Sequence, residues 1–280
     1  MATIRTITPA DYPAVAALAD DAARRTLLGR PLWETAADVA AEVESLKNGA
    51  LIVAESDNGA VAGLAGYRLL PGGEAAVYGP LVAEEGHGVG AWLESRVVAM
   101  AEQQGARSFS LLVGTQNQAG NAWAQWRGYQ RDTEEPEQLL TWLYPGELTP
   151  GRLAEGALVR HANAGDTASV EALFSETFPR ELAGPQGWMD QCWVVESAGQ
   201  VEGFLRLDPS TAWVEYLCVN PSRRRQGLGV SLLVGVVQRF WEHDSRKVGL
   251  AVPLDDTAPV SLFRRLGFRR EVPVAKWMKR

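Results

Sequence analysis

Two hydrophobic spacings alternate along the chain. Around Ile4, and again around Val159, a short extended apolar run predicts a strand. Each is followed by an aspartate, Asp11 or Asp166, read as a helix cap. Apolar positions at helical spacing come next, Val15 and Leu18 in one case and Val170 and Leu173 in the other. Residues 35–47 predict a further amphipathic helix. The stretches around Gly59 and Gly199 predict β-hairpins with a glycine in the turn. Trp213-Val214-Glu215-Tyr216-Leu217-Cys218-Val219 is β-branched and aromatic, and Asn220-Pro221 closes it as a strand. From Val230 to Trp241 the spacing is helical again. Each half of the chain thus reads strand, helix, (second helix), three strands, helix, strand, helix, two strands. This α/β (α+β) order has an antiparallel meander followed by a crossover helix.

The same order occurs twice because the sequence repeats. Ile4-Arg5, Asp11, Val15 and Leu18 match Val159-Arg160, Asp166, Val170 and Leu173 at an offset of 155. Val53, Glu55-Ser56, Gly59, Val61 and Gly63 match Val194, Glu196-Ser197, Gly199, Val201 and Gly203 at 141 or 140. Gly88-Val89-Gly90 and Gly128-Tyr129 match Gly227-Leu228-Gly229 and Gly267-Phe268 at 139. Trp142 and Trp277 close the halves in β-like runs. The falling offset means that the second copy lacks about 15 residues after its first helix. Residues 35–47 fill that place in the first copy; residues 179–189, with glycine and proline, predict a loop in the second. Residues 144–156, YPGELTPGRLAEG, break all periodicity. The expected domains are 1–145 and 157–280, with 146–156 as linker.

Composition narrows the function classes. Apolar residues make up 46% of the 280 positions, enough for a core in each half. The net charge of −7 and a pI near 5.2 argue against nucleic acid or anionic lipid as partner, and suit a cationic amine. No apolar run is long enough to span a membrane, and the N-terminus has no signal-peptide core, so a cytoplasmic protein is expected. Cys192 and Cys218 form no CxxC pattern, and no metal is expected. Monomer and homodimer both remain open.

The candidate chemistry sits after the strand ending at Val219. Ser222-Arg223-Arg224-Arg225-Gln226-Gly227-Leu228-Gly229 leads straight into a helix. A helix N-terminus presents unsatisfied N–H groups and partial positive charge. Gly227 and Gly229 allow an anion close approach, and arginine adds charge-assisted contacts. The result is a pyrophosphate cradle. The sixth position of a dinucleotide fingerprint would be Leu232 instead of glycine, and the Gly-Lys-Ser/Thr of a Walker A loop is absent. A solvated arginine run before a helix is the competing reading.

Val219-Asn220-Pro221 with Arg224-Arg225-Gln226-Gly227-Leu228-Gly229, followed by Asp256 and a short helix ending in Leu266-Gly267-Phe268, resembles the GNAT superfamily of N-acetyltransferases. The resemblance implies two tandem GNAT-like domains, each a mixed, mainly antiparallel sheet flanked by helices. It implies acetyl-CoA as co-substrate and a small-molecule amine or peptide as acceptor. The pyrophosphate would meet Arg224, Arg225, Gln226, Gly227, Leu228 and Gly229, with Val230 opening the helix. Pantetheine would run along Leu217, Cys218 and Val219. The family's strand carboxylate would be Glu215, which is either the general base or half of a cross-strand ion pair with Arg206. Two positions depart from the family: Phe263 replaces the usual tyrosine acid, and Asp256 the usual asparagine.

In the first copy the equivalent loop is Glu84-Glu85-Gly86-His87-Gly88-Val89-Gly90. Glu85 takes the basic position, His87 reads as an exposed neutral histidine, and Ala124 stands at the tyrosine position. A weak cofactor binder or a structural partner is expected there, as in tandem family members whose C-terminal copy is catalytic. Most of the 10 tryptophans are expected in cores. A catalytically silent CoA-binding module and a structural scaffold are the alternatives to an enzyme.

Overall fold

The structure, a computed structural model, describes residues 3–26, 33–178, 187, 189–244 and 246–280. Of the loop predicted over 179–189, residues 179–186 and 188 lie outside the described residues. The chain forms two compact units. One comprises Met1–Leu140, Pro253–Asp255 and Val272–Arg280, the other Thr141–Val252 and Asp256–Glu271.

The first unit runs β1 (Thr3–Thr6), α1 (Tyr12–Thr26), α2 (Ala36–Ser45), β2 (Gly49–Glu55), β3 (Val61–Leu69), β4 (Glu74–Val82), α3 (Val89–Gln103), β5 (Ser108–Gly114), α4 (Gln118–Trp126) and β6 (Gln130–Arg131). β7 (Gln138–Leu143) follows. The helix expected over 35–47 is α2. Thr35 caps it, accepting from the Asp38 N–H, while the Asp38 carboxylate accepts the Thr35 N–H. β1 to β4 are antiparallel neighbours, and β4 and β5 are parallel, with α3 as the crossover between them. β5 pairs on its other side with residues 274–279. The core beneath α3 gathers Tyr67, Leu93, Val97, Phe109, Val113 and Tyr129, together with Trp277.

The second unit repeats this with β8 (Leu158–His161), α5 (Thr167–Thr177), β9 (Cys192–Ser197), β10 (Gln200–Asp208), β11 (Trp213–Val219), α6 (Leu228–Trp241), β12 (Val248–Pro253) and α7 (Thr257–Leu266). β8 to β11 are antiparallel and β11 pairs parallel with β12. Two closing strands are expected in each half, but the second ends on a single one, β13 (Arg269–Lys279). Trp142 packs edge-on to Trp213, 6.3 Å between ring centroids, inside the second unit. Trp277 belongs to the core of the first.

The duplication extends to side-chain detail. Arg5 donates to both oxygens of Asp11 (2.7 and 2.8 Å) and to Glu55; Arg160 does the same with Asp166 (2.7 and 2.9 Å) and Glu196. The capping role expected of the two aspartates is executed one step back. Each carboxylate accepts the N–H three residues earlier, Thr8 or Asn163, at 2.8 Å, and so closes the turn ahead of the helix.

Candidate active site

β11 delivers its residues to two faces, and a bulge decides which. Arg206 pairs with Tyr216 but Leu207 with Val214, so Glu215 is the extra residue of the bulge. Past it, Tyr216 and Cys218 face α5. Tyr216 meets Phe174 and Phe178, and Cys218 is buried with Thr177 Oγ1 2.9 Å from its sulfur. Burial pushes the Cys218 thiol up, so this side chain is a core group and only its backbone is left to meet a ligand. Val219 faces α6, its Cγ2 lying 3.4 Å from where a Cβ on Gly229 would stand. Leu217 stays partly exposed. Glu215 is ion-paired with Arg206, which also donates to Gln191. The predicted cross-strand pair is therefore present.

The loop after β11 is held by its own side chains. Asn220 Nδ2 donates to buried Glu202 (3.0 Å), and Arg223 is ion-paired with the same carboxylate. Arg224 Nε donates back to the Val219 carbonyl (3.2 Å). Arg224, Arg225 and Gln226 are exposed. Leu228 is buried, leaving its backbone as its contribution, while Gly229 and Val230 are half-buried. Arg225 (φ 65°) and Gly227 (φ 85°) both lie in the left-handed region. Their counterparts at the 139 offset, Gly86 (φ 85°) and Gly88 (φ 75°), do too. The two loops thus share their turns, although residues 83–88 are two shorter than residues 220–227.

What surrounds these turns differs. A Cβ on Gly88 would meet nothing within 4 Å, and Gly88 borders a cavity of about 370 Å³ between the end of β4, the first turn of α3 and α4. Trp123, Trp126 and Asn117 line it too. Asn117 is 8% exposed; its Oδ1 accepts the Gly120 N–H (2.8 Å), and its buried Nδ2 has no hydrogen-bond partner among the described residues. A buried amide donor of that kind requires an acceptor. Glu84 and Glu85 are exposed at the rim, with His87 3.5 Å from Glu84. The acidic loop alone argues for a weak cofactor binder or a structural partner. The signal for the groove was Asn117, which occupies the family's asparagine position 139 residues before Asp256. The core assignment of tryptophan holds for Trp33, Trp142 and Trp277, but Trp92 and Trp126 are exposed.

In the second unit the chain itself covers the corresponding surface. A Cβ on Gly227 would lie 2.8 Å from the Arg152 carbonyl oxygen and 3.0 Å from the Ala154 nitrogen. Phe263 is buried against Phe268, 5.5 Å between centroids, and Asp256 is an exposed N-cap without a side-chain cap bond.

The family model described as "Acetyltransferase (GNAT) domain" matches residues 189–270, the stretch from before β9 to the start of β13. Residues 189–270 thus form a GNAT acetyltransferase domain. A mycothiol acetyltransferase of Clavibacter sepedonicus is 33% identical over 89 residues, 30% of this chain and 29% of that protein, so the match spans under a third of the relative. Two solved structures share the fold over the full length. A GCN5-related N-acetyltransferase from Sphaerobacter thermophilus has a TM-score of 0.74 at 18% identity, covering 99% of this chain and 95% of the other. A tandem GNAT protein from the clavulanic acid biosynthesis pathway has 0.69 at 16%, covering 100% and 98%. The GNAT fold thus extends over both halves. Among the described residues no helix is long and apolar enough to cross a membrane, and no cluster of His, Cys, Asp and Glu is set to hold a metal ion.

Proposed function

We propose that the chain is an acyl-CoA-dependent N-acyltransferase that moves an acetyl group from acetyl-CoA to a primary amine by direct attack. The observation that carries this is the strand, glycine turn and helix N-terminus of β11 and α6 inside the matched GNAT domain. That turn and the backbone of Leu217, Cys218 and Val219 supply N–H and C=O groups where a diphosphate and an amide-bearing arm need partners. Residues 224–230 hold the anionic end mainly through backbone amides, since the guanidinium of Arg224 is turned to Val219. The co-substrate supplies an activated thioester carbonyl. The amine lone pair attacks that carbon, the C–S bond breaks, and the thiol leaves. With Phe263 in the usual acid position, the sulfur departs as thiolate, which a thiol pKa of about 8.5 tolerates near neutral pH.

Glu215 receives the proton released by the amine. Only the second copy offers a carboxylate here: Gly66 and Tyr67 pair with the adjacent Tyr78 and Val77, whereas Arg206 and Leu207 pair with Tyr216 and Val214, so Glu215 is an extra residue without a counterpart in the first copy. Chemistry therefore belongs to the second unit, and the open groove of the first is a second cofactor site. The test is thiol release from acetyl-CoA against a panel of amines. Glu215→Gln should lower turnover about 100-fold or more with little change in acetyl-CoA affinity. Equal loss of both would remove Glu215 as the base. Intact acetyl-CoA binding without thiol release toward any amine of the panel would favour a silent acyl-CoA-binding protein instead. The covered turn at Gly227 is the observation on that side.

A further inference from the structure

We propose that residues 147–155 are a built-in strap that competes with the cofactor for the second unit's groove; this rests on the acyl-CoA reading above. The strap follows the groove between α6 and α7. At one end the Glu147 carbonyl oxygen occupies the space that a Cβ on Gly267 would need, and Thr149 N–H donates to Leu266 O (3.0 Å). In the middle, a Cβ on Gly151 would sit 3.2 Å from Val230 Cγ1 and 3.6 Å from Leu266 Cδ2, so the backbone there touches both helices. At the other end Arg152 O and Ala154 N cover Gly227, and Ala154 N–H donates to Ser231 Oγ (2.8 Å) in the first turn of α6.

The first unit is the control. At Gly88 and Gly128, the counterparts of Gly227 and Gly267, an added Cβ would have no neighbour within 4 Å among the described residues, and Gly88 opens on the cavity. The same turns are bare in one copy and covered in the other. The Arg152 carbonyl oxygen stands beside Gly227, in the space that a diphosphate docking on this turn would enter. Strap and anion therefore exclude each other. The strap also contains Pro150 and Gly151, and Arg152 and Leu153 flank them, with Leu153 exposed, so it is built to be lifted.

The test uses the full chain in a Gly88→Glu background, which sets a carboxylate at the anion end of the first groove. Coenzyme A binding is titrated in that background and in two strap variants. Ser231→Ala removes the acceptor of the Ala154 bond, and Gly151→Val forces the backbone away from Val230. Both should tighten coenzyme A binding about 5- to 10-fold, the effect of losing one such interaction from the competing state. Trypsin should cut after Arg152 faster when coenzyme A is added to the unmodified strap. Equal affinities in all three proteins, or cleavage slowed by coenzyme A, would overturn the strap and leave the acyltransferase reading standing. No binding by any of the three would overturn both.

Discussion

Asp11 and Asp166 show how much one carboxylate can organise. Each takes two bonds from an arginine and one from a backbone N–H, and the arginine holds both well below the usual carboxylate range. The arginines are about one-third exposed, so solvent screening reduces what each pair contributes. Asp11→Asn should cost about 1–2 kcal/mol in denaturant unfolding at neutral pH. A depressed folded pKa gives stability that is complete above the ordinary Asp value of about 3.9 and is lost as pH falls through the folded value. The gap between Asp11→Asn and the parent should therefore narrow below about pH 4. A gap that widened in acid would contradict the ion pair. The aspartates are legible as repeat markers, yet the full cluster is not, since Glu55 and Glu196 reach Arg5 and Arg160 across a strand pairing. Glu215 shows the same limit. Simple alternation puts it on the face of Trp213, Leu217 and Val219, and the bulge that sets it apart is visible only once Arg206 is paired with Tyr216.

At the level of elements, the turns ending α4 and α7 have one conformation and two surroundings. Gly128 and Gly267 both have positive φ, 86° and 102°. Gly128→Ala should cost about 1 kcal/mol, the backbone penalty alone. Gly267→Ala must also displace the Glu147 carbonyl, and about 2–4 kcal/mol is expected. Unfolding curves of the two variants give the comparison, and equal costs would mean that residues around 147 do not pack on this turn. Local sequence predicted both turns, because a glycine after a short helix encodes its own geometry. It did not predict which would be covered. That depends on a segment without periodicity, whose path is set by contacts and not by pattern.

Over the whole molecule, the repeat phase divides the sequence at its linker, whereas compactness groups residues 272–280 with the first unit. Strand pairing is non-local, so hydrophobic period identified β13 as a strand without naming its neighbour. That neighbour is β5, and the strand brings Lys279 to within 3.2 Å of Glu94, a fully buried carboxylate that Arg127 and the Tyr129 hydroxyl also contact. Truncation after residue 271 should expose the β5 edge and leave Glu94 short of a cation. The damage should appear in the first unit, as rapid proteolysis within residues 3–140, although the deletion lies far from it in sequence. Lys279→Met is the milder form, and about 2–4 kcal/mol of destabilisation is expected.

The placement of that strand also sets a timetable. During synthesis the first 140 residues leave the ribosome about 130 residues before the segment that completes their sheet. At about 5–20 residues per second, that is a wait of roughly 7–26 seconds with the edge of β5 bare. A nascent chain of this protein would have to keep that edge away from its neighbours on the polysome until its last strand arrives.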